Sequence, residues 1–311
     1  MPLDPRVRRF LEVLGAGNAV RTLDPGVLER REHLAELMKL GGPAPPIGHI
    51  DPLSLPGPAG PLKARLYSPV EARAGSLPGI LYLHGGGLVA GNLDTHACIA
   101  QSLAHFAACR VLALDYRLAP EHAFPASLDD AYAAVKVMRA RSADYGIDPA
   151  RLAICGDSAG GTLSAAVCQA AARAQDPPLA LQVLLCPILD YSRRSGSRVE
   201  FARGYLLDQT TLDHDLRHCM PGGGDPMDVR LSPLRAKDLA GTPPTLVHTA
   251  EFDPLRDEGR EYFERLAHTG TGLSYTCHPG MIHLFYGLGA VIPYARTALE
   301  CIGHEIRAAL A

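Results

Sequence analysis

A serine between two glycines is the pattern in this chain best suited to chemistry. Ser158 lies in the pentapeptide Gly-Asp-Ser-Ala-Gly at 156–160, directly after an apolar run. Glycines two positions before and after the serine permit a sharp strand-to-helix turn, because side chains there would collide with the neighbouring strand and helix. The positive end of the following helix would lie near the exposed hydroxyl. The motif predicts a nucleophile, although five residues alone leave an ordinary Gly/Ser-rich turn as the alternative.

A serine nucleophile needs a base to remove its proton and an acid to orient that base. Of the thirteen histidines, His283 is the candidate base, because it follows the last predicted strand and precedes the last predicted helix. Asp253 is the candidate acid, since it directly follows another predicted strand. Asp257 lies in the first turn of the next helix, where the helix dipole favours a carboxylate. Glu251 is a weaker candidate, because its side chain should point to the opposite side of the extended chain from Phe252.

Three consecutive glycines supply candidate hydrogen-bond donors. Residues 84–87 read His-Gly-Gly-Gly and follow an apolar strand. Without side chains, the backbone N–H groups of Gly85 and Gly86 can approach a ligand oxygen, and with the N–H of Ala159 they would form an oxyanion hole. A phosphate-binding loop is the alternative, but the sequence lacks the Gly-Lys-Ser/Thr ending and the G-x-G-x-x-G pattern. His84 is predicted to hold the glycine loop in place rather than to act as a base.

The elements that must position these residues alternate between strands and helices. Apolar strands such as 179–186 indicate burial on both faces, hence a largely parallel sheet with helices on either side, a three-layer α/β domain. Predicted strands span 48–55, 61–67, 79–84, 110–115, 151–155, 180–186, 244–250 and 272–277. Predicted helices span 7–14, 25–40, 95–107, 127–143, 159–174, 256–269 and 293–309.

Two segments fall outside this alternation and predict a small helical cap. A Pro-rich linker at 42–46 separates residues 1–45, predicted as N-terminal cap helices, from the catalytic domain at 46–311. The connection between the strands near 186 and 245 is far longer than a βα crossover requires. We expect its part at about 192–222 to be helical and to pack with the N-terminal helices over the catalytic face.

Composition narrows the class of protein. The 311 residues carry a formal net charge of -3 and are 47% apolar, which gives no electrostatic case for binding nucleic acid or a membrane surface and favours small neutral substrates. The eight cysteines include no CxxC pair, which is typical of reduced core residues. No secretion signal is recognised at the N-terminus, and the longest apolar run, 179–189, is too short to span a bilayer. A cytoplasmic protein is expected.

Taken together, the motifs resemble those of the bacterial hormone-sensitive-lipase-like carboxylesterases. The serine, acid, histidine order along the chain is that of α/β-hydrolases. The resemblance implies an α/β-hydrolase fold, with a mostly parallel eight-stranded sheet flanked by helices on both faces and an N-terminal helical cap. The segments that carry the resemblance are 84–87, 115–126, 156–161, 232–236 and 253–259.

The resemblance also implies an activity, the hydrolysis of carboxylic esters with short to medium acyl chains. Ser158 would be the nucleophile, His283 the base and Asp253 its orienter, acting through an acyl-enzyme intermediate that requires no metal or organic cofactor. An amidase or acyltransferase with the same triad stays open, as does a non-catalytic ligand-binding relative. The partner is then a small-molecule ester, and a homodimer is possible if the strand at 273–277 lies at a sheet edge.

Three positions depart from the family pattern. Leu88 stands where an aromatic often follows the glycines, Thr162 where an Asn is frequent, and Leu284 where a Gly commonly follows the histidine. None of these belongs to the predicted triad. Leu88 and Leu284 are expected to alter the pocket wall and with it the substrate preference.

Overall fold

An eight-stranded β-sheet forms the core of the protein. The computed structural model describes residues 2–17, 26–70, 72, 75–192 and 194–311. All eight predicted strands are present, and their ends lie within a few residues of the predicted ones. The strands are β1 (His49–Gly57), β2 (Gly60–Ser68), β3 (Leu77–Leu83), β4 (Arg110–Asp115), β5 (Ile147–Asp157), β6 (Leu181–Leu185), β7 (Thr245–Phe252) and β8 (Gly272–Ile282).

The sheet is mostly parallel, with the order β1-β2-β4-β3-β5-β6-β7-β8. β2 pairs antiparallel with both β1 and β4, and every other pairing is parallel. In the centre of the sheet, Leu81 of β3 lies opposite Leu112 of β4 and Ile154 of β5. β8 lies at one edge, as the sequence predicted. The carboxyl ends of the parallel strands therefore meet along one side of the sheet, where α/β proteins bind ligands.

Helices cover both faces of this sheet. Nine α-helices lie in the described part of the chain, and they include all seven predicted ones; of the second predicted helix, residue 25 lies outside the described residues. The predicted insertion at 192–222 contributes two of the nine. The helices are α1 (Pro5–Gly17), α2 (Val27–Met38), α3 (Ala97–Phe106), α4 (Ala126–Ala140), α5 (Ala159–Arg173), α6 (Gly196–Glu200), α7 (Gln209–Cys219), α8 (Arg256–His268) and α9 (Tyr294–Ala309).

Alternation along the strands divides the core between the two faces. Ile80 and Tyr82 of β3 pack on the side covered by α3 and α9, whereas Leu81 and Leu83 pack on the side covered by α4 and α5. This period of two is what a pleated strand imposes on a run of apolar residues. Burial on both faces explains why the central strands are nearly unbroken runs of apolar residues in the sequence.

In the described part of the chain we find no helix with the length and apolarity needed to cross a membrane.

Candidate active site

Ser158 occupies a strained turn between β5 and α5. Its backbone has φ 53° and ψ −118°, a conformation that residues other than glycine rarely adopt. The flanking glycines make the turn possible, because a Cβ on Gly160 would lie 1.9 Å from the carbonyl oxygen of Leu83 and one on Gly156 would lie 2.2 Å from the carbonyl oxygen of Gly160. The glycine spacing that singled out the serine in the sequence is therefore a steric requirement of this fold.

The three predicted triad residues meet in one chain of hydrogen bonds. His283 Nε2 lies 3.1 Å from Ser158 Oγ, and His283 Nδ1 lies 2.8 Å from Asp253 Oδ2. Asp253 is fully buried, and its other oxygen accepts a hydrogen bond from the N–H of Leu255 at 2.8 Å. The carboxylate is thus fixed by the backbone and in turn fixes the imidazole ring, which leaves Nε2 free to accept a proton from the serine.

The two competing carboxylates have other partners. Glu251 accepts a hydrogen bond from the N–H of Gly280 at 2.7 Å. Asp257 lies in the first turn of α8, where it accepts a hydrogen bond from the N–H of Ser197 at 2.8 Å and pairs with Arg256. Neither of them is the hydrogen-bond partner of His283 Nδ1, so the geometry favours the acid that follows β7 directly.

Gly85 differs from the sequence-based expectation. Its N–H, expected to face an oxyanion, donates instead to Oδ1 of Asp157 at 3.0 Å, and the hydroxyl of Tyr82 donates to the same oxygen at 2.6 Å. A donor engaged by a buried carboxylate is not free to bind a ligand oxygen, which corrects the assignment of Gly85. This role of Asp157 was not predicted from the sequence, although the residue lies inside the serine motif.

The next two glycines face the site instead. Gly86 and Gly87 line the same cavity as Ser158 and His283. Throughout the described residues, no backbone hydrogen bond uses the N–H of either glycine. Ala159 is the first residue of α5, so its N–H has no acceptor within the helix. Gly87, which the sequence analysis did not select, could have been found from its place in the same run of glycines.

A buried network under the glycine loop holds it in place. Burial raises the pKa of Asp157, but His96, whose Nε2 lies 3.5 Å from Oδ2, and the hydrogen bond from the Tyr82 hydroxyl outweigh this effect and hold the pKa below its ordinary value. Burial lowers the pKa of His84 to about 3, and its ring stacks on Tyr116 at 4.3 Å. His84 is therefore neutral and packed beneath the loop, in agreement with the structural role predicted for it.

A cavity of about 400 Å³ opens over Ser158. Helices α1, α2 and α7 contribute to its walls, so parts of both predicted cap segments lie over the serine. One wall also carries charged and polar side chains, among them Arg30, His33 and Asp215. The apolar lining consists of Leu11, Leu14, Leu34, Leu37, Ile188, Leu206, Leu207, Leu212 and Leu284.

The three residues that depart from the family pattern lie in different surroundings. Leu284 lines the cavity with a left-handed backbone, φ 61°, which explains why glycine is the easier residue at this position. Leu88 is buried with φ 63°. Thr162 donates its hydroxyl to the carbonyl oxygen of Ile188 at 2.5 Å, which ties α5 to the segment after β6.

One group of side chains in the described residues has the spacing for a metal ion. Ligand atoms of Cys186, Asp253 and His283 lie within 4.8 Å of one another, and all three residues are buried. Two of them already form the His–Asp hydrogen bond, so an ion there would replace that bond. Burial raises the pKa of the Cys186 thiol well above its ordinary value, which opposes the thiolate that a metal would need.

Known proteins of similar sequence include ester hydrolases of the alpha/beta hydrolase fold. The profile of the alpha/beta hydrolase fold family matches residues 80–287. The carboxylic ester hydrolase LipN of Mycobacterium tuberculosis is 40% identical over 92% of this chain and 77% of its own length. The ethyl acetate hydrolase of Pseudomonas putida is 36% identical over 97% of this chain and 98% of its own length.

Solved structures agree with the sequence relatives. The ester hydrolase EH1AB1 from the metagenome of Lake Arreo is 39% identical and superposes with a TM-score of 0.95 over 98% of both chains. The family profile covers more than half of the chain, and the relatives align over most of it. The chain therefore belongs to the α/β hydrolase fold family, within its hormone-sensitive-lipase-like carboxylesterases.

Proposed function

We propose that this esterase cleaves carboxylic esters by acyl transfer to Ser158, with His283 as the base and Asp253 as the acid that orients it. The observation that carries the proposal is the chain of hydrogen bonds from serine to histidine to aspartate, 3.1 and 2.8 Å long, at the wall of a cavity. Each residue follows a different strand, at the side of the sheet where α/β enzymes place their reacting groups.

The reaction proceeds in two symmetrical halves. Ser158 Oγ attacks the ester carbonyl carbon while His283 Nε2 takes the hydroxyl proton, and the imidazolium then gives this proton to the leaving alcohol. Water, deprotonated by the same nitrogen, attacks the acyl-enzyme and releases the acid. Asp253 stabilises the imidazolium that forms in each half and holds Nδ1 in its protonated state.

Three backbone donors face the negative charge that develops on the carbonyl oxygen. We assign them to the N–H groups of Gly86, Gly87 and Ala159, because the Gly85 N–H is bonded to Asp157. Loss of a single donor of this kind costs about 3–4 kcal/mol of transition-state stabilisation. The glycine loop accordingly contributes as much to the reaction as a triad residue does.

The cap selects the substrate in this proposal. It consists of residues 1–45 together with the insertion at about 192–222, and the rest of 46–311 forms the catalytic domain. Helices from both segments line the leucine-rich cavity, whose volume of about 400 Å³ suits short to medium acyl chains. A long chain would have to leave the cavity or displace the cap.

A cytoplasmic location and a homodimer are also proposed. Eight cysteines without a disulfide partner in the described structure fit a reducing compartment. β8 is an edge strand, and its residue Leu273 is 53% exposed, so a second copy could pair with it. Light scattering tests the dimer, and a monomer at working concentration would refute it.

The central experiment measures the hydrolysis of p-nitrophenyl esters from acetate to palmitate by the wild type and by Ser158→Ala. Ser164→Ala is the matched control, because Ser164 is a buried serine of α5, the helix that follows Ser158, and its hydroxyl donates to the carbonyl of Gly160 at 2.8 Å. We expect Ser158→Ala to lose at least about a thousandfold in kcat. Ser164→Ala should stay within about fivefold of the wild type.

The outcomes separate the alternatives. Turnover of short esters that depends on Ser158 supports the proposal, and equal activity of the two serine variants would refute it. Comparison of an aryl ester with the isosteric amide distinguishes an esterase from an amidase. A folded wild type that cleaves none of the esters would favour the ligand-binding alternative.

A further inference from the structure

An ion pair joins two distant parts of the chain beside the catalytic serine. Arg30 of α2 and Asp215 of α7 are 185 positions apart in sequence. The guanidinium donates from Nε to Oδ1 at 3.2 Å and from Nη2 to Oδ2 at 3.0 Å. The side chains are only 15% and 5% exposed, so the pair is shielded from water. Two parallel hydrogen bonds of this kind fix both orientation and charge.

The carboxylate of this pair rests against the glycine loop. A Cβ added to Gly87 would lie 1.9 Å from Oδ2 of Asp215 and 2.4 Å from its Cγ, so the carboxylate fills the space where a side chain would be. Gly86 is contacted from α2, where Leu34 Cδ2 would lie 3.1 Å from an added Cβ. Each cap segment therefore touches one of the two glycines that face the site.

The cap is anchored to the same loop by a second arginine. Arg31 donates from Nε to the carbonyl oxygen of Val89 at 2.8 Å and pairs with Glu121 at 2.7 Å. Since this anchor is independent of Asp215, α2 is held near the loop even without the Arg30 contact. The Arg30 contact must then be explained by what it does to Asp215.

Charge explains it. A carboxylate next to Gly87 opposes the negative charge that develops on the substrate oxygen, and buried charges interact strongly because little water screens them. Within the described chain, Arg30 is the permanent cation within ion-pairing distance of Asp215. His214 Nδ1 lies 3.0 Å from Oδ1 of the same carboxylate and can hydrogen-bond to it without carrying a charge.

We propose that Arg30 is a positioning residue for catalysis, which neutralises Asp215 so that this carboxylate can support Gly87 without repelling the oxyanion. The inference rests on the proposed function, because it takes Gly86 and Gly87 as oxyanion donors. It makes the oxyanion site a joint product of the catalytic domain and both cap segments. If the ion pair only held α2 and α7 together, replacing either partner would reduce activity equally. Our inference predicts instead that replacing Arg30 reduces activity more than replacing Asp215.

The test measures kcat and KM on p-nitrophenyl butyrate for Arg30→Gln, Asp215→Asn and the double variant. Arg30→Gln leaves an unneutralised carboxylate, and we expect it to lose ten- to hundredfold in kcat with KM changed less than fivefold. Asp215→Asn removes the charge and should be at least tenfold more active than Arg30→Gln. The double variant should recover at least tenfold over Arg30→Gln, and Arg30→Lys, which keeps the charge, should stay within about tenfold of the wild type.

Other patterns overturn the inference. Equal losses of kcat in Arg30→Gln and Asp215→Asn, or a double variant no more active than Arg30→Gln, would show that the ion pair only holds the two helices together. If Arg30→Gln does not fold, affinity for an alkylboronic acid decides, because its serine adduct is a tetrahedral anion. Asp215→Asn should bind it at least as tightly as the wild type, and weaker binding refutes the inference. Full activity of Ser158→Ala would instead refute the proposed function.

Discussion

The carboxylate of Asp157 offers the sharpest test of how the fold prepares its catalytic loop. Its Oδ1 accepts hydrogen bonds from the Tyr82 hydroxyl at 2.6 Å and from the Gly85 N–H at 3.0 Å. Because the pKa of Asp157 lies below its ordinary value, its surroundings stabilise the ionised form by more than burial penalises it. Asp157→Asn keeps the shape and an acceptor oxygen but removes the charge.

The expected loss of stability in Asp157→Asn follows from these two hydrogen bonds. A hydrogen bond to a charged group contributes about 1.5–3 kcal/mol and a neutral one about 0.5–1.5 kcal/mol, so each bond weakens by about 1 kcal/mol. We expect Asp157→Asn to lower the free energy of unfolding by about 2 kcal/mol in urea denaturation. A weaker hydrogen bond to Gly85 should displace the neighbouring N–H donors of Gly86 and Gly87. Complete loss of one such donor lowers kcat by about 10²–10³, so we expect their displacement to lower kcat by about tenfold.

Tyr82→Phe is the matched control. It removes one of the two bonds to the carboxylate but leaves the bond to Gly85, so it should cost about 1.5–3 kcal/mol of stability. Its kcat on p-nitrophenyl butyrate should stay within about threefold of the wild type, since the glycine loop keeps its anchor. If the two variants are equally active on p-nitrophenyl butyrate, Asp157 supports the core alone and the reasoning is refuted.

Three further outcomes are expected. The value of kcat/KM should rise with pH, because His283 accepts a proton only when neutral, and a flat pH profile contradicts its role as the base. Burial lowers the pKa of His248 to about 3 and of His278 to about 4, so the unfolded chain binds protons more readily below pH 6.5. Stability should therefore fall as pH decreases from 6.5 to 4, by on the order of 3 kcal/mol for His278 alone, and urea midpoints that are equal at pH 7 and 4.5 would contradict this. Gly160→Ala should abolish folding, because its Cβ would lie 1.9 Å from a backbone carbonyl of β3, whereas Gly15→Ala, with no atom within 4 Å, should be at least as thermally stable as the wild type.

Local residue patterns were sufficient to locate the helices and strands and to select the three triad candidates. Apolar runs and helical periodicity are local properties, so they located all eight strands and the seven predicted helices within a few residues. Ser158, Asp253 and His283 could be selected because each lies after a predicted strand, and the ends of parallel strands are brought together by the sheet. Their convergence required no knowledge of packing beyond that rule.

Which backbone donors face the site depends on contacts between distant segments of the chain. Gly85 and Gly86 look alike in the sequence, and the difference arises because the Asp157 carboxylate, brought beside the loop by the pairing of β3 with β5, binds the first of them. Local pattern cannot reveal this, since it depends on a contact between residues 72 positions apart. Likewise, the pair of Arg30 and Asp215 exists only because two helices whose paired residues are 185 positions apart in sequence pack beside one serine, which brings their charges within hydrogen-bond distance.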